Sequence, residues 1–123
     1  MTLHEEWLYK ADNDFESAQL LCNHKLNDTS VYHAQQTSEK ALKGFLVFKG
    51  ILPPKTHDLE KLLDLCKNYD ASFVNIDLQI FELNGMDVKF RYPSVDLMPP
   101  DADVKNALIW AEEILNFVKS VCI

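Results

Sequence analysis

Arginine is nearly absent from this chain. Of its 12 basic residues only Arg91 carries a guanidinium, and the rest are lysines. Glycine is scarce too: Gly44, Gly50 and Gly85 are the three, and none opens a Gly-Lys-Ser or Gly-Lys-Thr triplet, which excludes a phosphate loop of the P-loop kind. Three cysteines, Cys22, Cys66 and Cys122, are odd in number, far apart and without Cys-x-x-Cys spacing. They suit a reducing compartment as small buried hydrophobes, and they argue against a disulfide framework or a zinc site. No histidine has a glutamate three residues before it, since Met1, Leu21, Ser30 and Pro54 stand there, so the Glu-x-x-His pairs of a di-iron bundle are missing. None of the six serines sits in a Gly-x-Ser-x-Gly elbow. The longest apolar runs, Phe45 to Phe48 and Ala107 to Ala111, fall far short of a membrane span, and the opening MTLHEEW has no signal-peptide core. The expectation is a cytoplasmic protein with no membrane segment.

Positive charge is in short supply overall. A net charge of -7 disfavours gripping nucleic acid through bulk electrostatics, which draws on clustered Lys and Arg. The balance is uneven along the chain. Residues 31 to 55 hold one acid and four lysines, whereas 1 to 30 carry net -4 and both 56 to 95 and 96 to 123 carry net -3. Only the 31 to 55 stretch can face an anion unaided.

What is present is helical periodicity in a chain of 123 residues, 47% of them hydrophobic and 25% charged, a size and composition that predict one domain over 1–123. From Trp7, apolar residues Leu8, Ala11, Phe15, Ala18 and Cys22 recur at helical steps with Asp12, Glu16 and Gln19 between them. Asn27-Asp28-Thr29 separates this helix from a second, which Ser30 would cap and Gly50 would end, with Ala34, Ser38, Ala41, Leu42, Phe45 and Phe48 inward. Pro53 and Pro54 force an extended passage to a short third helix, capped by Thr56 and burying Leu59, Leu62, Leu63 and Cys66. Val74 to Ile80 alternates apolar and polar residues like a strand, but it would lack a ladder partner. Phe73, Ile76, Ile80 and Leu83 also form a helical stripe, with Ser72 as its cap and Gly85 as its stop. After Pro99-Pro100, Asp101 and Asp103 favour a helix start, and Val104, Ala107, Leu108, Ala111, Ile114, Leu115, Val118 and Val121 keep the period to the end. The predicted fold is all-α, an up-and-down bundle of four long helices plus one short one.

Candidate binding residues each have two readings. His33, Gln36, Lys40 and Lys43 share one face of the second helix by steps of three, four and three. They form either a solvated polar stripe in which Glu39 supports Lys43 at i,i+4, or a strip facing an anion. His57 bonds local backbone or Asp58, or it belongs to a site; Lys55 beside it serves solubility or the same site. Arg91 either pairs Asp87 or Asp96 and pins the loop from Gly85 to Pro99, or holds a phosphate or carboxylate in two-point contact.

The run HAQQTSEKALKGFLVFKGILPPKTHDLEKLL, the opening WLYKADNDFESAQLL and the later FRYP together resemble the HEPN family of small helical bundles. The likeness lies in A-x-Q-x-x-E-K-x-L-K at Ala34 to Lys43, Lys-Thr-His-Asp-Leu at 55 to 59, and Arg-Tyr-Pro at 91 to 93. It implies a bundle that dimerises and that is often encoded beside a minimal nucleotidyltransferase partner, in modules like toxin and antitoxin. Many members are metal-independent RNA endonucleases with an arginine followed, four to six residues on, by a histidine. Here Arg91 matches the arginine, but no histidine lies beyond His57. The resemblance therefore points first to a binding module without metal or cofactor, in which Arg91, with Lys40, Lys43, Lys55 and His57, receives a nucleotide, an RNA phosphate or a partner's acidic surface. An RNA endonuclease with a variant centre using His57, or a pure interaction bundle, are the alternatives, and catalytic residues stay unassigned.

Overall fold

Thr2 starts the first helix. Its hydroxyl accepts the Glu5 amide while the Glu5 carboxylate accepts the Thr2 amide at 3.0 Å, a reciprocal capping box that moves the start of α1 ahead of Trp7. The computed structural model describes residues 1–90, 93 and 98–123, except the side chains of residues 87 and 88. It contains α1 (Leu3–Asn23), α2 (Asn27–Phe48), α3 (Leu59–Tyr69), a 3-10 helix (Ala71–Ile76), α4 (Asp77–Phe90) and α5 (Asp101–Val121). The fold is the expected all-α bundle, with no strand among the described residues. The alternating stretch Val74 to Ile80 is helical because that geometry buries Phe73, Ile76, Ile80 and Leu83 together.

Chain reversals follow backbone chemistry. At the end of α1, Lys25 takes the left-handed region (φ 61°), and the Lys25 and Leu26 amides return to Cys22 and Leu21. Gly50 does the same after α2 (φ 78°), with its amide on Val47 and that of Ile51 on Leu46. Several expected caps are corrected. Ser30 lies inside α2, where its hydroxyl donates to the Ala18 carbonyl at 2.7 Å and ties the first two helices together. Asp58, not Thr56, caps α3 through the Glu60 amide, and Asp70, not Ser72, caps the 3-10 helix. The two hydroxyls are engaged otherwise: Thr56 accepts the Asp58 amide at 3.2 Å, and Ser72 donates both its amide and its hydroxyl to Asp70. Gly85 does not stop α4, which runs on to Phe90. A helical glycine costs roughly 1 kcal/mol against alanine, too little to end a helix held by the burial of Ile80 and Leu83.

The second helix is the hub. Fourteen of its 22 residues are buried, and it packs against α1, α3, α4 and α5. The core stripe Ala34, Ser38, Ala41, Leu42 and Phe45 is buried as expected, and Phe48 is half-buried at its edge. The Phe45 ring lies 4.4 Å from Phe73, which meets Phe117 edge-on at 5.0 Å. Burial pushes the Cys66 thiol up to about 12 and the Cys122 thiol up to about 11, so both stay protonated and apolar at neutral pH. No helix among the described residues is long and apolar enough to cross a membrane.

The α1–α2 contact leaves little room at Gly44, where a Cβ would stand 3.2 Å from the Trp7 Cβ and 3.5 Å from Leu8. Gly44→Val is therefore expected to cost about 1–3 kcal/mol by forcing the two helices apart. Urea unfolding followed by circular dichroism checks this, and an unchanged midpoint would refute it.

Candidate functional site

Two buried carboxylates organise the polar side of α2. Asp14 of α1 accepts from His33 Nδ1 at 2.9 Å and is also bound by Lys40 Nζ. Glu39 of α2 uses both oxygens: Oε2 accepts from Lys43 Nζ at 3.1 Å, and Oε1 lies 2.9 Å from His57 Nδ1. Each acid thus sits between one lysine and one histidine. The burial of the two clusters differs sharply at the imidazole, for the His33 side chain is 27% exposed and that of His57 is 76% exposed.

His57 is fixed from two directions. The segment after Gly50 runs without regular structure through Pro53 and Pro54 to Asp58, since neither proline can continue a helix hydrogen-bond ladder. As it passes α2, the buried Gln35 donates through Nε2 to the His57 carbonyl at 3.0 Å, and Gln36 Nε2 donates to Gln35 Oε1 at 3.1 Å. Main chain and ring of His57 are both anchored to α2.

Two grooves flank Glu39. One, of about 480 Å³, is walled by Tyr32, Gln35, Gln36, His57 and Phe90, with Asp28 at the start of α2 also on its surface. The other, of about 610 Å³, is more apolar, with Trp7, Val47, Leu52 and Pro54 around Lys43 and Lys55. Glu39 joins them, because its partner His57 lines the first and its partner Lys43 lines the second.

The structure thus separates the residues that the sequence grouped. His57 stands in the first groove; Lys43 and Lys55 share the second; Lys40 lines neither and is bound to Asp14. Lys40 and Lys43 are not a row of free cations, since each is matched by a buried acid. The expected bond from His57 to Asp58 gives way to Glu39, because the Asp58 carboxylate caps α3 and accepts from Asn84 at 3.3 Å. Arg91 and its proposed partners, the Asp87 side chain and Asp96, lie outside the described residues, but Phe90, which precedes Arg91 in the chain, forms part of the first groove. Among the described residues no three His, Cys, Asp or Glu side chains gather in a way that can hold a metal ion.

The family model described as HEPN domain matches residues 4–121, from the first turn of α1 to the last of α5. The chain belongs to the HEPN family. Its fold is shared with the crystal structure of an archaeal HEPN homologue, with a TM-score of 0.80 and 26% identity over 100% of both chains. A crystal structure of a protein from Thermus thermophilus is similar at a TM-score of 0.82 and 23% identity over 98% of each chain. No curated protein matches.

In this HEPN chain, the site residues that sequence reasoning passed over are Asp14 and Gln35. Asp14 carried a signal: it falls three residues after Ala11 and four before Ala18, on the apolar stripe of α1, where an acid must find partners. Gln35 gave none, for its role depends on a main-chain carbonyl 22 residues away.

Proposed function

We propose that this HEPN bundle is a nucleotide- or RNA-phosphate-binding module, and that the groove between α2 and the end of α4 receives the phosphate. The observation that carries the reading is that His57 and Phe90 wall one groove and that Arg91, the lone guanidinium, is the next residue after Phe90. A guanidinium fork and an imidazole are both suited to phosphate oxygens. Tyr32 and Phe90 supply aromatic faces on which a base can stack, and Gln36 supplies an amide. Lys40 and Lys43 act through Asp14 and Glu39 rather than by touching the ligand, and Lys55 serves the neighbouring groove. Family membership and the motif resemblance support a cytoplasmic homodimer working with a minimal nucleotidyltransferase partner in a toxin–antitoxin-like pair.

Isothermal titration with ATP, GTP and short single-stranded RNA tests the proposal. Wild type is expected to bind at least one of them at low salt, with Arg91→Ala weakening it about tenfold or more, the worth of one charged two-point contact. Equal binding by both proteins would remove Arg91 from the site. Co-purification of a nucleotidyltransferase encoded by an adjacent gene tests the partnership.

A further inference from the structure

We propose that Glu39 is the positioning residue of the first groove: it holds His57 in one tautomer, so that Nε2 is the atom offered to a phosphate. This rests on the reading that the groove takes a phosphate, and it adds which atom does so and what aims it. An ionised carboxylate can only accept, so the 2.9 Å contact between Glu39 Oε1 and His57 Nδ1 requires the proton on Nδ1. Neutral His57 then shows a bare Nε2, and the imidazolium shows Nε2–H, a donor for a phosphate oxygen.

Lys43 is what makes Glu39 reliable as an acceptor. Both side chains are buried, 10% and 6% exposed, and the ammonium 3.1 Å from Oε2 supplies the charge that an isolated buried carboxylate would lack. Glu39 and Lys43 carry opposite charges, so the pair brings no net charge to the edge of the groove. Among the described residues, the other acids nearby are held by partners of their own. Asp58, next in the chain, is engaged by the Glu60 amide at 3.0 Å and by Asn84, and Asp28, which also lines the groove, is bonded to the Thr29 amide at 2.8 Å.

The Asp14 cluster is the built-in comparison. It has the same chemistry, with an acid shared between His33 and Lys40, but the His33 ring is mostly covered and lines neither groove. The same bond there ties α1 to α2. Of these two clusters, that of Glu39 is the one that couples a buried acid to an open imidazole.

Nitrogen-15 spectra of the histidine rings at a pH of about 9, above the usual imidazole range, test the tautomer directly. Wild-type His57 is expected as the Nδ1–H form. Removing both buried charges with Glu39→Leu/Lys43→Met, chosen so that no unpaired lysine unfolds the bundle, is expected to give a mixture of tautomers. In near-neutral titrations with inorganic phosphate and with AMP, the His57 resonances should move and those of His33 should not. The double variant should bind about tenfold more weakly. A wild-type ring in the Nε2–H form, or a double variant with unchanged tautomer and unchanged affinity, overturns the role of Glu39. Binding that depends on Arg91 but leaves His57 unmoved overturns it too, while sparing the groove. Absence of any Arg91-dependent binding, with Nδ1–H still observed, removes the phosphate reading instead.

Discussion

Alanine at Phe45 is expected to lower the unfolding free energy by about 3–5 kcal/mol. Phe45 has no exposed surface, lies on the most buried helix and contacts Phe73 at 4.4 Å and Phe48 at 6.5 Å between ring centres. Removing the ring takes away its transfer free energy and leaves a void that neighbouring side chains cannot close without moving helices. Against a typical total of about 5–15 kcal/mol, such a loss is a third or more of the stability of many domains. Urea unfolding should show a lower midpoint with an unaltered slope. A loss below about 1 kcal/mol would mean that the bundle collapses into the space, and that the aromatic stack is not its centre.

Glu39→Ala is expected to cost a comparable amount, about 3–5 kcal/mol, for a different reason. The substitution strands Lys43, whose side chain is 10% exposed, among the apolar residues of the second groove without the carboxylate it is bonded to. The penalty is that of an unpaired buried charge and not the net worth of the ion pair, so Glu39→Leu combined with Lys43→Met should recover most of it. Asp14→Ala should cost less, because its partner Lys40 is 28% exposed and can reach water. Thermal unfolding of the three variants measures this ranking. Equal losses in Glu39→Ala and in the double variant would show that the carboxylate acts by packing and not by charge.

Much of the architecture was legible because burial enforces a period. Leu59, Leu62, Leu63 and Cys66, and Phe73, Ile76, Ile80 and Leu83, lie inward as their spacing requires. The ends of the helices were harder to read. Ser30, Thr56 and Ser72 are all chemically suited to capping, but each had a nearby competitor or a better use: Ser30 reaches across to Ala18, and Asp58 and Asp70 cap in place of the other two. Gly85 misled for the opposite reason, since a weak local preference yields to packing. In the site, only the Glu39–Lys43 bond was readable, because i,i+4 neighbours meet on any helix. The bonds from Asp14 to Lys40 and from Glu39 to His57 span 26 and 18 positions, and no spacing rule reaches that far. The likeness at Lys55 to Leu59 and at Arg91 to Pro93 found the family, but it did not indicate that His57 and Lys55 would face different grooves.

The intimate fit of α1 on α2 at Gly44 and Trp7 bears on how the chain folds. These helices are neighbours in sequence, separated only by the tight turn at Lys25, so their docking closes a short loop and forfeits little chain entropy. α5 must instead return from the far end of the polypeptide to reach α2. The first hairpin is thus the natural nucleus, and bulk introduced at Gly44 should slow refolding more than it speeds unfolding.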